Sequence, residues 1–237
     1  MSSPVGSSQA GLLQRLLAAL FPARCLGCGL RGHDLCVACR AMLPWLESAV
    51  CPYCARPSRL ARICGSCSRD GPALDGARAA CRFDGIAREA VHDLKYRRIR
   101  SRAAVLAEVL VESLARRPLA VDVLVPVPLA PGRLRQRGFN QSALLAEIVG
   151  ERLAVDVASD ALARTRETSP QVGRSAGERR ANIADAFACR LPDALRGRRV
   201  AIVDDVMTTG ATLSACAEAV REAGALRVYG VVFARDI

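Results

Sequence analysis

The stretch Arg199-Val-Ala-Ile-Val-Asp-Asp-Val-Met-Thr-Thr-Gly-Ala-Thr-Leu213 decides how this chain is read. Val200 to Val203 is a short apolar run of the kind found in a strand buried on both faces. It ends at Asp204-Asp205, and a small, hydroxyl-rich turn follows, Thr208-Thr209-Gly210-Ala211-Thr212. Beyond the turn, Leu213, Cys216, Ala217 and Val220 recur at helical spacing, and Gly224 closes that helix. Val228 to Phe233 reads as the next strand. The order is strand, acidic pair, hydroxyl-glycine loop, helix, strand.

That order has a chemical reading. In open α/β sheets ligands bind beyond the carboxyl ends of strands. A helix N-terminus with free amides and small side chains makes a phosphate site. Carboxylates directly before it repel a bare phosphate but accept hydrogen bonds from vicinal hydroxyls. A ligand that is both diol and phosphate, a ribose 5-phosphate, satisfies both halves. The lysine of a GxxxxGK[ST] loop is missing, so this is a different phosphate loop.

Working outward, Val121-Asp-Val-Leu-Val-Pro-Val-Pro128 is a second buried-strand run ending in a Pro-Val-Pro turn. Arg133, Arg135 and Arg137 follow within Arg133-Leu-Arg-Gln-Arg-Gly-Phe-Asn-Gln141, which opens a helix through Ile148. Several guanidinium donors beside a phosphate-rich ligand can meet dense negative charge. Phe83 to Arg98 reads as an amphipathic helix ending in the basic cluster Lys95, Arg97, Arg98, Arg100 and Arg102, suited to an anion, to nucleic acid or to solvent. Leu162 to Phe187 is polar and weakly periodic. His33 and His92 sit in no nucleophile–base arrangement and read as structural or surface residues.

The N-terminal part follows another logic. Cys25-Leu-Gly-Cys28, Cys36-Val-Ala-Cys39, Cys51-Pro-Tyr-Cys54 and Cys64-Gly-Ser-Cys67 place four CxxC pairs within 43 residues. One pair sets two thiolates about 3.5–4 Å apart, two corners of a tetrahedron with Zn–S bonds near 2.3 Å. Two pairs complete a site, so the segment holds two structural zinc ions. No secretory signal is evident to favour disulfides, and a redox CxxC occurs once on a βαβ unit, not four times in a row. The pairing is open: a sequential scheme gives short loops, and crossed schemes are geometrically possible. A structural zinc supplies on the order of 10 kcal/mol of folding energy, which a segment with so small an apolar core needs. Cys81, Cys189 and Cys216 fall outside the pattern and read as core or surface thiols.

Composition sets the bounds. Hydrophobic residues make up 51% of the 237, enough for a buried core, while aromatics are only 4%. The net charge of +11 is uneven: residues 1–80 carry +5, 81–140 carry +6, 141–199 carry +2 and 200–237 carry −2. Polyanions such as nucleic acid or a pyrophosphorylated sugar, and a merely soluble basic surface, are both compatible with it. Residues 11–21 are apolar but short and interrupted by Arg15, which predicts a small amphipathic helix, no membrane insertion and a cytoplasmic protein.

Taken in order, the four CxxC pairs, the Leu94-Lys-Tyr96 segment, Pro126-Val-Pro-Leu129, Arg137-Gly-Phe-Asn-Gln141, Thr168-Ser-Pro-Gln171, Glu178-Arg-Arg-Ala-Asn182 and Val203-Asp-Asp-Val-Met-Thr-Thr-Gly-Ala-Thr212 resemble the ComF (GntX-like) family over residues 21–237. The phosphate-loop stretch resembles the signature that binds 5-phosphoribosyl-1-pyrophosphate (PRPP) in type I phosphoribosyltransferases. The resemblance implies an α/β fold: a Rossmann-like parallel sheet flanked by helices over residues 78–237, behind a double zinc ribbon over 21–70. It implies that Asp204 and Asp205 hold the ribose hydroxyls and are the catalytic pair. It further implies that Met207, Thr208, Thr209, Gly210, Ala211 and Thr212 cradle the 5-phosphate, and that Pro126 and Val127, with Arg133, Arg135 and Arg137, meet the pyrophosphate. Arg164, Arg166, Gln171 and Arg179 would belong to a lid. Expected cofactors are zinc and the Mg²⁺ that accompanies PRPP, and expected partners are PRPP, single-stranded DNA and competence-machinery proteins. The chain is then a phosphoribosyltransferase whose acceptor is not legible, since only residues 70–120 and the cysteine module are left to form a base-reading hood. The alternative is a nucleic-acid-handling adaptor that uses PRPP or a nucleotide as a regulatory ligand.

Overall fold

The computed structural model describes residues 23–46, 49–71, 73–165 and 186–237. They fall into two compact units, which divide between Leu43 and Pro44. The first contains a Cys25–Cys28 turn and the short helix α1 (Val37–Ala41). The second runs through a like turn at Cys51–Cys54 to α2 (Gly65–Asp70), β1 (Gly76–Arg82), α3 (Gly85–Lys95), α4 (Arg102–Arg116), β2 (Val123–Pro126), α5 (Pro131–Arg137) and α6 (Gln141–Leu153). It continues through β3 (Asp156–Val157), β4 (Leu162–Arg164), β5 (Phe187–Cys189), β6 (Arg199–Met207), α7 (Ala211–Glu222) and β7 (Arg227–Arg235). The helix expected at 11–21 lies outside the described residues.

Five strands make one parallel sheet in the order β1-β7-β6-β2-β3. β6 lies between β7 and β2, with Val203 opposite Val231 on one side and Pro126 on the other. A strand paired on both edges and covered on both faces has no wet side, and Val200, Ala201, Ile202 and Val203 are accordingly all fully buried. From β2 the chain moves outward to β3; from β6 it moves the opposite way to β7. The carboxyl ends of β2 and β6 therefore flank the point where the strand order reverses, where open α/β sheets bind ligands.

Three expectations are sharpened. β6 runs on to Met207, so Asp204 and Asp205 lie within the strand and not in the loop after it. The run expected to open one helix at Arg133 is two helices, α5 and α6, broken at Gly138, whose φ of +83° is a left-handed conformation that glycine adopts without strain. Of the polar stretch 162–187, only its ends are described, and they pair as the antiparallel strands β4 and β5. Among the described residues, no helix is long and apolar enough to cross a membrane.

The core of the larger unit joins Val200, Ile202 and Val232 of the sheet to Leu213 and Val220 of α7. Val50, Ala55 and Leu74, which flank the second cysteine group, belong to the same buried cluster. That segment is thus part of the larger unit's interior.

Gly150 on α6 marks the closest helix–strand approach. A Cβ there would stand 2.4 Å from Val157 Cγ2 and 2.8 Å from the Val155 carbonyl oxygen. Alanine gains about 1 kcal/mol of helix propensity over glycine, but overpacking against backbone costs about 1–3 kcal/mol. Because the carbonyl cannot rotate aside, the clash wins: Gly150→Ala is expected to lower stability in urea unfolding, the reverse of an ordinary helix substitution.

Candidate functional site

The two cysteine groups settle the pairing. Cys25, Cys28, Cys36 and Cys39 gather in one cluster and Cys51, Cys54, Cys64 and Cys67 in another, with all four sulfurs of each within 4.8 Å of one another. Cys28 and Cys36 Sγ are 3.7 Å apart, and Cys54 and Cys64 Sγ are 3.6 Å apart. A tetrahedron with Zn–S bonds of about 2.3 Å has edges of about 3.8 Å, so the donor sets fit zinc.

The clusters are built alike. The amides of Cys36 and Cys64 point at the sulfurs of Cys25 and Cys51, at 3.3 and 3.4 Å. The residue after each first CxxC, Gly29 or Ala55, donates its amide back to the carbonyl of Cys25 or Cys51 and takes a positive φ, 74° and 55°. Amides aimed at sulfur favour the thiolates that bind metal. With four thiols in each set, both sites are closed and structural.

At the other end of the sequence, the acidic pair meets two different partners, because successive strand residues face opposite ways. The Ser142 hydroxyl donates to Asp204 Oδ1 at 2.7 Å, and the same oxygen accepts the Asp205 amide at 2.9 Å. Asp205, 1% exposed, accepts the Val206 amide on Oδ1 at 2.8 Å and pairs through Oδ2 with Lys95 Nζ at 2.7 Å. The lone lysine of the chain, at the end of α3, is thus an element of the acidic site. Removal from water, then the Asp205 charge, push the Asp204 carboxyl up to about 7.

The loop after β6 opens helix α7 with Gly210 as N-cap, at a φ of +86°. Thr208 and Thr209 are exposed, Thr212 half-buried, and Met207 and Ala211 buried beneath them. Asp204 and this loop line a hollow of about 150 Å³. First-turn helix amides lack intrahelical partners, so the hollow has donors at one end and a carboxylate at the other.

The neighbouring turn is less open than its sequence suggests. Pro126 and Pro128 have no N–H, and the Val127 amide is engaged by the Val203 carbonyl at 3.0 Å. Amides for an anion must therefore come from Leu129 onward, and Pro126 and Val127 contribute shape alone. The Val127 carbonyl accepts from Asn140 Nδ2 at 3.0 Å, which ties the turn to the N-cap of α6. The three arginines separate because they lie on a helix. Arg133 and Arg137 share a face of α5, while Arg135, two residues from each, points away. Arg137 is half-buried; removal from water lowers its pKa, and the charge of Asp205 is the leading influence against that.

The basic cluster after α3 divides: Arg97, Arg98 and Arg100 are exposed, while Lys95 and Arg102 are largely covered. Arg97 and Arg102 pair with the buried Asp93, at 2.8 and 3.4 Å, and Arg100 lies 5.3 Å over the Phe139 ring. Arg164 stands on β4 over Phe187 at 5.5 Å. Arg166, Gln171 and Arg179 lie outside the described residues. His33 and His92 are exposed, the latter against Tyr96 with ring centroids 4.8 Å apart and planes tilted by 44°. Cys81 and Cys216 are buried, and burial pushes the Cys81 thiol up to about 12.

Sequence reasoning missed Ser142, the role of Lys95 and the buried Arg235. Each belongs to the site through a contact with a distant segment, a relation that local periodicity does not carry.

A parallel sheet whose reversal point carries an acidic pair and a threonine-glycine loop, together with two four-cysteine sites, defines a phosphoribosyltransferase-type domain with paired zinc ribbons. Residues 139–237 match the phosphoribosyl transferase domain family and residues 16–68 the double zinc ribbon domain family. The DNA utilization protein YhgH of Escherichia coli O157:H7 is 33% identical over 204 residues, 83% of this chain and 88% of that protein. Competence protein F of Haemophilus influenzae is 35% identical over 113 residues, 46% of this chain and 49% of that protein. Competence protein ComFC of Bacillus subtilis is 25% identical over 202 residues, 81% and 80% of the two chains. The chain belongs to this ComF (GntX-like) family of DNA-utilization and competence proteins.

Two outcomes follow from these geometries. Metal analysis of the purified chain should give two zinc ions, and Cys28→Ser and Cys67→Ser should each remove one, from different clusters. The native state, in turn, holds the Asp204 proton more tightly than the unfolded chain, whose pKa stays near 3.8. Its stabilising effect is therefore complete below about pH 4 and lost as pH rises through about 7. In Asp204→Asn the amide oxygen keeps both hydrogen bonds, so thermal unfolding of the ligand-free variant should lose this pH dependence and exceed the wild type at pH values above about 7.

Proposed function

We propose that the chain binds Mg²⁺–PRPP at the ends of β2 and β6 and transfers its phosphoribosyl group to an acceptor. The observation that carries this reading is the single hollow in which Asp204 and the Thr208–Thr212 loop face one another, a diol acceptor and a phosphate cradle on consecutive residues. Asp204, the more exposed of the two acids, takes the ribose hydroxyls directly. Asp205, paired with Lys95, lies beneath the sugar. Thr208, Thr209, Gly210 and Thr212 hold the 5-phosphate over the first turn of α7, with Met207 and Ala211 as the packed floor.

In the transfer, the bond from C1 to the pyrophosphate oxygen breaks and a bond from C1 to the acceptor forms, the acceptor's proton leaving to solvent. Positive charge grows on the ribose as the bond breaks, and Asp204 and Asp205 are placed to stabilise it. Pyrophosphate departs toward residues 129–137, where Arg133 and Arg137 share a face. Mg²⁺ supplies charge neutralisation on the pyrophosphate, and hard carboxylate oxygens such as those of Asp204 suit its hydrated shell. Arg164, on β4, is assigned to the ligand site, while Arg166 lies outside the described residues. As functional modules we assign residues 21–70 to the zinc ribbons and 78–237 to the transferase domain, in a cytoplasmic protein.

A DNA-handling role is supported by the names of the relatives and by one surface. Tyr96 is 68% exposed at the end of α3, between Lys95 and the outward-facing Arg97 and Arg98. An exposed ring among arginines suits stacking on an unpaired base. In this second reading the chain is an adaptor for single-stranded DNA and competence proteins, and PRPP is its regulatory ligand.

Calorimetric titration of PRPP in magnesium should show binding, weakened in Asp204→Asn by at least about tenfold, the usual cost of losing hydrogen bonds to a charged group. Pyrophosphate release with a base or nucleotide acceptor supports the transferase. PRPP binding without release, together with salt-dependent binding of single-stranded DNA that Tyr96→Ala weakens, supports the adaptor. No PRPP binding refutes both.

A further inference from the structure

Arg235, at the end of β7, is 1% exposed and is the largest fully buried side chain among the described residues. Its Nε donates to the Cys54 carbonyl at 3.0 Å. Its Nη1 donates to the Met207 carbonyl at 2.8 Å and also to the Thr208 carbonyl. Cys54 is the second thiol of the second four-cysteine cluster, and Met207 and Thr208 open the phosphate loop. One guanidinium therefore serves backbone carbonyls on both sides.

The Met207 carbonyl also accepts the Asp236 amide at 2.9 Å, and Ala55 and Met207 share the buried core, so the guanidinium adds a direct polar link between segments already joined by packing. A cleft of about 350 Å³ separates the two segments, with Cys54 and Cys67 on one wall and Thr209 and Gly210 on the other. Arg235 and Met207 also line it. Buried carbonyls without donors are costly, and the planar fork of an arginine can hold carbonyls on different segments at fixed relative positions.

We propose that Arg235 is the positioning residue of the phosphate loop, and that through it metal at the Cys51/Cys54/Cys64/Cys67 site sets the loop's geometry and its affinity for a 5-phosphorylated ribose. Metal on the Cys54 sulfur fixes that residue's carbonyl, the carbonyl fixes the guanidinium, and the guanidinium fixes Met207 and Thr208. The second zinc ribbon is then a part of the ligand site and not only a folded appendage. The identity of the ligand rests on the function proposed above; the link from ribbon to loop does not.

Hydrogen–deuterium exchange of the full-length, zinc-loaded protein tests the link without any ligand. Peptides covering 205–213 should exchange roughly tenfold faster in Arg235→Met and in Cys67→Ser, the expected order for one lost charged hydrogen bond. Peptides of α4 should not change. Arg235→Lys, which keeps the charge but not the fork, should fall between wild type and Arg235→Met, and it carries the test if Arg235→Met does not fold. Cys28→Ser, which opens the other cluster, should leave 205–213 at the wild-type rate. PRPP titration should show affinity falling roughly tenfold in Arg235→Lys and Cys67→Ser but not in Cys28→Ser. Unchanged exchange at 205–213 in Cys67→Ser and Arg235→Lys would overturn the link. Faster exchange with unaltered PRPP affinity would overturn its effect on the ligand. A wild type that binds no PRPP refutes the ligand assignment while leaving the exchange result to decide the link.

Discussion

The pairing of β6 on both of its edges is the constraint from which the rest of the site follows. β7 and β2 run parallel to it and take up its backbone hydrogen bonds, while α6 and α7 pack on it and the antiparallel pair β4–β5 packs on α7. A strand so enclosed must be apolar until it emerges, and it emerges at Asp204. The loop that follows inherits its place from the sheet: it lies above the reversal of strand order, beside the end of β2. The same strand ends thus bring together an acidic pair, a hydroxyl-glycine turn and a Pro-Val-Pro turn that are about 80 residues apart in sequence.

Two neighbouring carboxylates at the edge of a low-dielectric interior need compensation, and the fold supplies it unequally. Asp205 receives a lysine at 2.7 Å, whereas Asp204 receives a neutral hydroxyl and a backbone amide. Asp204, the acid without a full counter-ion, is pushed up by burial and by the charge of its neighbour. This asymmetry comes from the alternation of strand side chains, which sends one carboxyl toward α6 and the other toward α3.

The cysteine region is built the opposite way. Its apolar residues are few, its geometry is repeated, and each repeat closes on four sulfurs with amides turned inward. Yet the two repeats are not equivalent in their setting. The second contributes Val50 and Ala55 to the core of the larger unit, and its Cys54 carbonyl is bonded to Arg235. Ala55 occupies a left-handed conformation that its counterpart Gly29 adopts freely, so the second turn is held by its neighbours against a small local strain.

Much of this was legible without a structure, because the signals were local. CxxC spacing is a property of one turn, the apolar run of β6 reflects its burial, and Asp-Asp before Thr-Thr-Gly states a strand-to-helix transition in consecutive residues. The sequence by itself determined the α/β class, the eight clustered cysteines and the strand–acidic pair–loop–helix order. It did not determine which CxxC pairs close on one metal, since several pairings satisfy the spacing. Nor did it show that Arg133, Arg135 and Arg137 divide between two faces, because they were not yet known to lie on a separate helix. Lys95, Ser142 and Arg235 entered the site only through tertiary contacts: in sequence they are an ordinary lysine, a helix-start serine and a strand-end arginine. Burial and partner decide what a charged group does, and both are set by segments far along the chain, so only the folded structure could assign them.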